Sequence, residues 1–122
     1  MIKTSSLKSA ALGAGLALLA AGVANAHAHL VTAAPAANST GASPSQIRLT
    51  FSETLESKFS GFEVDMADGM KINVAVSADP ADAKTLVGIL KTSLPSGAYR
   101  VQWHAVSSDT HRMTGSFSFT VR

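Results

Sequence analysis

Four histidines are the residues of this chain best equipped for chemistry: His27, His29, His104 and His111. One of them sits in Asp109-Thr110-His111, where an extended backbone would project the carboxylate and the imidazole to the same side. His27 follows Ala24-Asn25-Ala26, a small-x-small pattern of the kind cut during secretion. A cut after Ala26 makes His27 residue one, with a free α-amine beside its own imidazole, and those two nitrogens close a six-membered chelate. An amine, two imidazoles and one carboxylate suit a square-planar or tetragonal divalent ion. Ligand type and the Irving–Williams order make that copper(II) above all. Zinc would prefer a tetrahedral set, and calcium more oxygens. The chain has no cysteine, which excludes a zinc–thiolate site, a cysteine nucleophile and a blue-copper centre.

Two alternatives stand beside that arrangement. Ala26-His27-Ala28 also has the A-x-A form, so a cut after Ala28 would put His29 first instead. A mature start of His27-Ala28-His29 could also bind copper(II) by itself, through the amine, two deprotonated backbone amides and the third-position imidazole. The competing demand is strand formation, which needs those backbone groups for pairing. His104 alternates with Tyr99, Val101 and Trp103 and so lies on the opposite, polar face of its strand, peripheral to any metal. Glu53 is placed to hydrogen bond to a ligand imidazole, or simply to be solvated at a strand end. Met66, Met70 and Met113 are too sparse for a soft-metal site and read as structural.

The elements that must position these groups are short strands. Residues 1–26 read as a signal peptide: Lys3 and Lys8 precede an apolar run, Ala10 to Val23, that is too short to span a bilayer. The remaining residues 27–122 form one small domain. The formal charge of +2 comes from ten Lys and Arg against eight Asp and Glu. Lys3 and Lys8 account for the excess, so the domain itself is balanced and carries no basic cluster for nucleic acid. Period-two alternation then recurs over His29–Thr32, Ile47–Phe51, Phe62–Met66, Lys71–Val76, Thr85–Leu90, Ala98–Val106 and Gly115–Val121, with Asp68-Gly69 a hairpin signal. About seven strands without helical periodicity predict an all-β, two-sheet sandwich, with a helical turn over 54–60. Without a disulfide, packing alone must hold it.

Several stretches resemble the CopC family of periplasmic copper-binding proteins. They are His27-Ala-His-Leu, Ile47-Arg-Leu-Thr-Phe-Ser-Glu53, Tyr99-x-Val-x-Trp103, Ser108-Asp109-Thr110-His111 and Thr114-Gly115-Ser-Phe-Ser-Phe-Thr-Val121. The resemblance spans essentially all of residues 27–122. It implies an immunoglobulin- or cupredoxin-like Greek-key β-sandwich that binds copper(II) through the amine and imidazole of His27 together with Asp109 and His111. Glu53 matches the family's acidic residue after the Phe-Ser pair. The methionine-rich loop that some members use for copper(I) is missing, which implies a single copper(II) site. His104 stands where related proteins often have Arg, and Arg112-Met113 replaces a more usual Pro-Val.

The expected function is therefore a non-catalytic periplasmic copper(II) carrier or buffer in copper resistance or uptake. The resemblance implies an inner-membrane CopD-type transporter as partner. Two other classes remain open on the residues alone. A small copper monooxygenase also clamps its metal with an N-terminal histidine, but Asp109 as ligand would fill a position such chemistry needs open. An adhesion sandwich with incidental histidines would bind no stoichiometric copper.

Overall fold

Inward apolar residues alternating with outward polar ones build two facing sheets in the computed structural model, which describes residues 27–122. The expected signal peptide lies outside the described residues. Nine strands follow in chain order: β1 (Leu30–Ala34), β2 (Thr40–Gly41), β3 (Gln46–Phe51), β4 (Gly61–Met66), β5 (Lys71–Ile72), β6 (Val74–Asp79), β7 (Asp82–Leu90), β8 (Gly97–Val106) and β9 (Arg112–Val121). One sheet has the order β1-β3-β7-β6 and the other β2-β9-β8-β4-β5. The helical turn expected over 54–60 is a single 3-10 turn at Ser57–Phe59.

Two differences from the sequence pattern have physical causes. The run Lys71–Val76 alternates without a break, yet it divides at Asn73. Its first half pairs with β4 and its second half with β7, so the chain changes sheets there. Thr40–Gly41 lies in what reads as a plain small-residue loop, but it pairs parallel with the end of β9. A two-residue strand has too few positions to show alternation.

The core fills the space between the sheets. Ile47, Leu49 and Phe51 from β3 meet Val64, Tyr99, Val101 and Phe119 from the opposite sheet, all buried. Tyr99 stacks on Phe119 at 5.5 Å, and its hydroxyl is satisfied by donating to the Pro95 carbonyl at 2.6 Å. Phe51 meets Trp103 edge to face at 5.1 Å.

Trp103 pairs across the ladder with Gly115, and the absence of a side chain there is what accommodates the indole. A Cβ on Gly115 would stand 2.6 Å from Cε2 of Trp103 and closer still to Cζ2. Gly115→Ala is therefore expected to force the indole out of its packing against Phe51, destabilising the domain by about 1–3 kcal/mol. Urea unfolding followed by the fluorescence of the single tryptophan checks this. An unchanged midpoint would show that the ring has room to move.

Candidate metal centre

The centre is assembled where the two sheets share one end of the sandwich. The chain enters β1 through residues 27–29, which run beside the residue that follows β3. The Ser52 N–H donates to the His29 carbonyl at 2.9 Å, and the His29 N–H donates to Ser52 Oγ at 3.0 Å. Ala28 is fully buried in the core. With Ala28 turned inward, its neighbours His27 and His29 are both exposed.

The other half comes from the β8–β9 connection, residues 107–111. Asp109 and His111 meet here, though not by strand alternation. The connection is a tight turn in which the Thr110 N–H donates to the Ser107 carbonyl at 2.8 Å. Thr110 takes a left-handed conformation at φ 72°, uncommon for a β-branched residue. The reversal folds the Asp109 carboxylate back onto its own turn. Oδ1 accepts the His111 N–H at 3.1 Å and also a short hydrogen bond from the buried Ser107 hydroxyl. Oδ2 lies 3.1 Å from Nδ1 of His111.

These contacts set the electrostatics of the turn. The Ser107 hydroxyl, and then the His111 backbone N–H, push the Asp109 carboxyl down to about 2 against the opposing effect of burial. The carboxylate is thus held both ionised and oriented. The turn is tied down in its turn by residues after β3: Leu55 bridges to Ser107, and the Ser108 N–H donates to the Thr54 carbonyl at 3.2 Å.

Across this corner the rings of His27 and His111 stand 4.4 Å apart, tilted by 53°. One donor atom each from His27, Asp109 and His111 falls within 4.8 Å of the others, and all three residues are exposed. Donors opposite one another on a first-row divalent ion lie about 4 Å apart. Neighbouring donors lie about 2.8 Å apart, so the trio needs to close by up to about 2 Å to share one ion. Two imidazoles and a carboxylate with no thiolate fit copper(II) by ligand type.

The other three residues singled out from the sequence lie outside this group. His29 is exposed, with Nδ1 3.3 Å from the His27 carbonyl oxygen and 3.3 Å from Ser52 Oγ. Glu53 is half-buried, and no hydrogen bond joins its carboxylate to either imidazole among the described residues. The hydrogen bonds that orient the cluster come instead from Ser107 and Ser52, which the pattern of residue types did not mark. His104 lies over Gly61 on the outer face of the five-stranded sheet. It borders a shallow concavity of about 520 Å3 with Glu63, Arg100, Gln102 and Arg112, and none of the cluster lines it. Burial holds its imidazole below the ordinary range; Arg112 adds to this and Glu63 opposes it.

Comparison with known proteins bears on the whole domain. A family model described as the CopC domain matches residues 30–122. The chain is 45% identical over 124 residues to copper resistance protein C of Escherichia coli, covering 95% of this chain and 98% of that protein. Its fold superposes on the crystal structure of PcoC, a methionine-rich copper resistance protein from Escherichia coli, with a TM-score of 0.74. That match has 45% identity and covers 80% of this chain and all of that one. The chain is also 31% identical over 98 residues to the copper transport protein CutJ of Bacillus subtilis. This takes in 79% of the chain but 18% of that longer protein.

Proposed function

Because the chain belongs to the CopC family, we propose that it binds one copper(II) ion in the periplasm as a non-catalytic carrier or buffer. The ligands are His27, through its amine and imidazole, with Asp109 and His111. The observation that carries this reading is the meeting of three donors, from the two ends of residues 27–122, at one exposed corner. The copper is cargo. An exposed site lets an acceptor's ligands approach while the donor's are still attached, whereas a structural metal would be closed off.

The reading takes residues 1–26 as a removed signal peptide and 27–122 as the mature domain. Export supports a periplasmic location; among the described residues no helix is long and apolar enough to cross a membrane. Copper must then cross by another protein. The resemblance between this domain and a fraction of the longer copper transport protein CutJ supports a copper transporter as partner, which we take to be an inner-membrane CopD-type protein.

Isothermal titration of protein beginning at His27 is expected to give one tight site for copper(II), with quenching of Trp103 fluorescence. Absence of stoichiometric binding would overturn the reading. The pH dependence separates the donors. The Asp109 carboxyl lies at about 2, below the ordinary value of about 3.9. Its charge is thus present at every pH above the ordinary carboxylate range and is lost only as pH falls through about 2. Imidazoles and α-amines ordinarily titrate at about 6.5 and about 7.7–8 and bind metal only when unprotonated. Affinity should accordingly fall between about pH 8 and pH 5, long before Asp109 takes up a proton. A dissociation constant that stays level from about pH 8 to about pH 5 would overturn that assignment and take the imidazoles and the amine out of the ligand set.

A further inference from the structure

We infer that Ser52 decides how the N-terminal segment meets copper, by holding the His29 backbone out of coordination and turning His27 toward Asp109 and His111. This rests on the proposed site. It adds a positioning residue that selects one of two coordination modes open to the same sequence.

The competing mode is built into His27-Ala28-His29. It takes four nitrogens: the α-amine, the amides of Ala28 and His29, and the His29 imidazole. As copper(II) binds this way, both amide protons leave to solvent and no electron moves. The four nitrogens must lie in one plane, so the backbone of 27–29 has to curl flat around the ion. Such a chelate is entirely local and needs nothing from the rest of the fold.

The structure opposes that curl at three points. The His29 N–H, whose nitrogen would become a ligand, donates to Ser52 Oγ at 3.0 Å. The carbonyl of the same residue accepts the Ser52 N–H at 2.9 Å, so His29 is engaged in both directions by one residue. Ala28, whose amide would be the other ligand, is fully buried in the core. Ser52 Oγ also lies 3.3 Å from Nδ1 of His29 and 3.5 Å from the His27 carbonyl oxygen. Its one proton can serve either acceptor, and each choice ties the segment down. With the segment tied down in this way, His27 has its ring against that of His111 at 4.4 Å.

Ser52 is therefore to the His27 donors what Ser107 is to Asp109. Outer hydrogen bonds of this kind orient ligands. Here they also remove a rival site, and specificity between two states often depends on such exclusion.

The test compares copper(II)-loaded proteins beginning at His27 by visible absorption and electron paramagnetic resonance. The unsubstituted protein should show a tetragonal signal of mixed nitrogen and oxygen ligation that is lost in His111→Ala. In Ser52→Ala the absorption band should move to shorter wavelength, as four in-plane nitrogens require. Binding by that variant should become indifferent to His111→Ala and dependent on His29. Ser52→Thr, which keeps the hydroxyl, should retain the original spectrum. An original, His111-dependent spectrum in Ser52→Ala would overturn the role of Ser52 and leave the site standing. An unsubstituted protein that already shows the four-nitrogen spectrum, removed by His29→Ala, would overturn the site itself. Hydrogen exchange of the His29 amide in the unsubstituted protein gives a reading that needs no variant. Protection supports the clamp, and exchange as fast as in an unstructured peptide overturns it.

Discussion

Replacing His111 by alanine is expected to weaken copper(II) binding about a hundredfold or more. Losing even an outer partner of a metal ligand costs about 10–100-fold, and His111 is proposed as a donor itself. Its ring faces that of His27 across the corner, so no neighbouring imidazole can substitute. His104 lies on the outer sheet face, and His29 is engaged with Ser52. The fold should survive, because the His111 side chain is largely in solvent: 59% of it is exposed. The comparison is a titration of both proteins monitored through Trp103 quenching, with far-ultraviolet circular dichroism to confirm the sheets. Equal affinities would mean that copper sits elsewhere.

Adding one residue ahead of His27 is expected to do comparable damage while leaving every side chain in place. The α-amine becomes an amide, whose nitrogen lone pair is delocalised into the carbonyl. It no longer binds without losing a proton, and the proposed six-membered chelate cannot close. The His27 imidazole then grips the ion alone, where imidazole and amine are proposed to grip it together, which is expected to cost on the order of a hundredfold in affinity. Titration of protein beginning at Ala26, against protein beginning at His27, measures the difference. Mass spectrometry of both establishes residue one. Matching dissociation constants would remove the amine from the ligand set and leave a three-donor site.

Alternation made the sheets legible, because each buried row leaves a period-two trace in its strand. Ile47, Leu49 and Phe51 are such a row, as are Tyr99 and Val101. What alternation cannot register is a change of sheet. At Asn73 the pattern continues unbroken because both halves bury one face, although the faces belong to different sheets. Asp109 and His111 show a related limit. Spacing by two suggests a strand, and the observed proximity comes from a turn with Thr110 left-handed. That contact was inferred from the wrong geometry. Ser52 and Ser107 were not legible at all, since serine in a β-rich sequence is by default a solvent-facing filler. Only the tertiary fold shows Ser107 buried against Asp109. Glu53 drew notice by its charge but is bonded to neither imidazole.

The corner itself has a mechanical meaning. His27 belongs to the end of one sheet and the 107–111 turn to the end of the other, and the chain contains no cysteine to tie them. An ion shared between them, as proposed, would be a removable rivet through both layers of the sandwich. Whatever binds only the folded form stabilises it, by about 2.7 kcal/mol when the free ligand is at a hundred times its dissociation constant. A loaded molecule is thus harder to pry open than an empty one. On the proposed site, cargo status would be written into the protein's resistance to unfolding, and giving up the ion would loosen the very end from which it leaves.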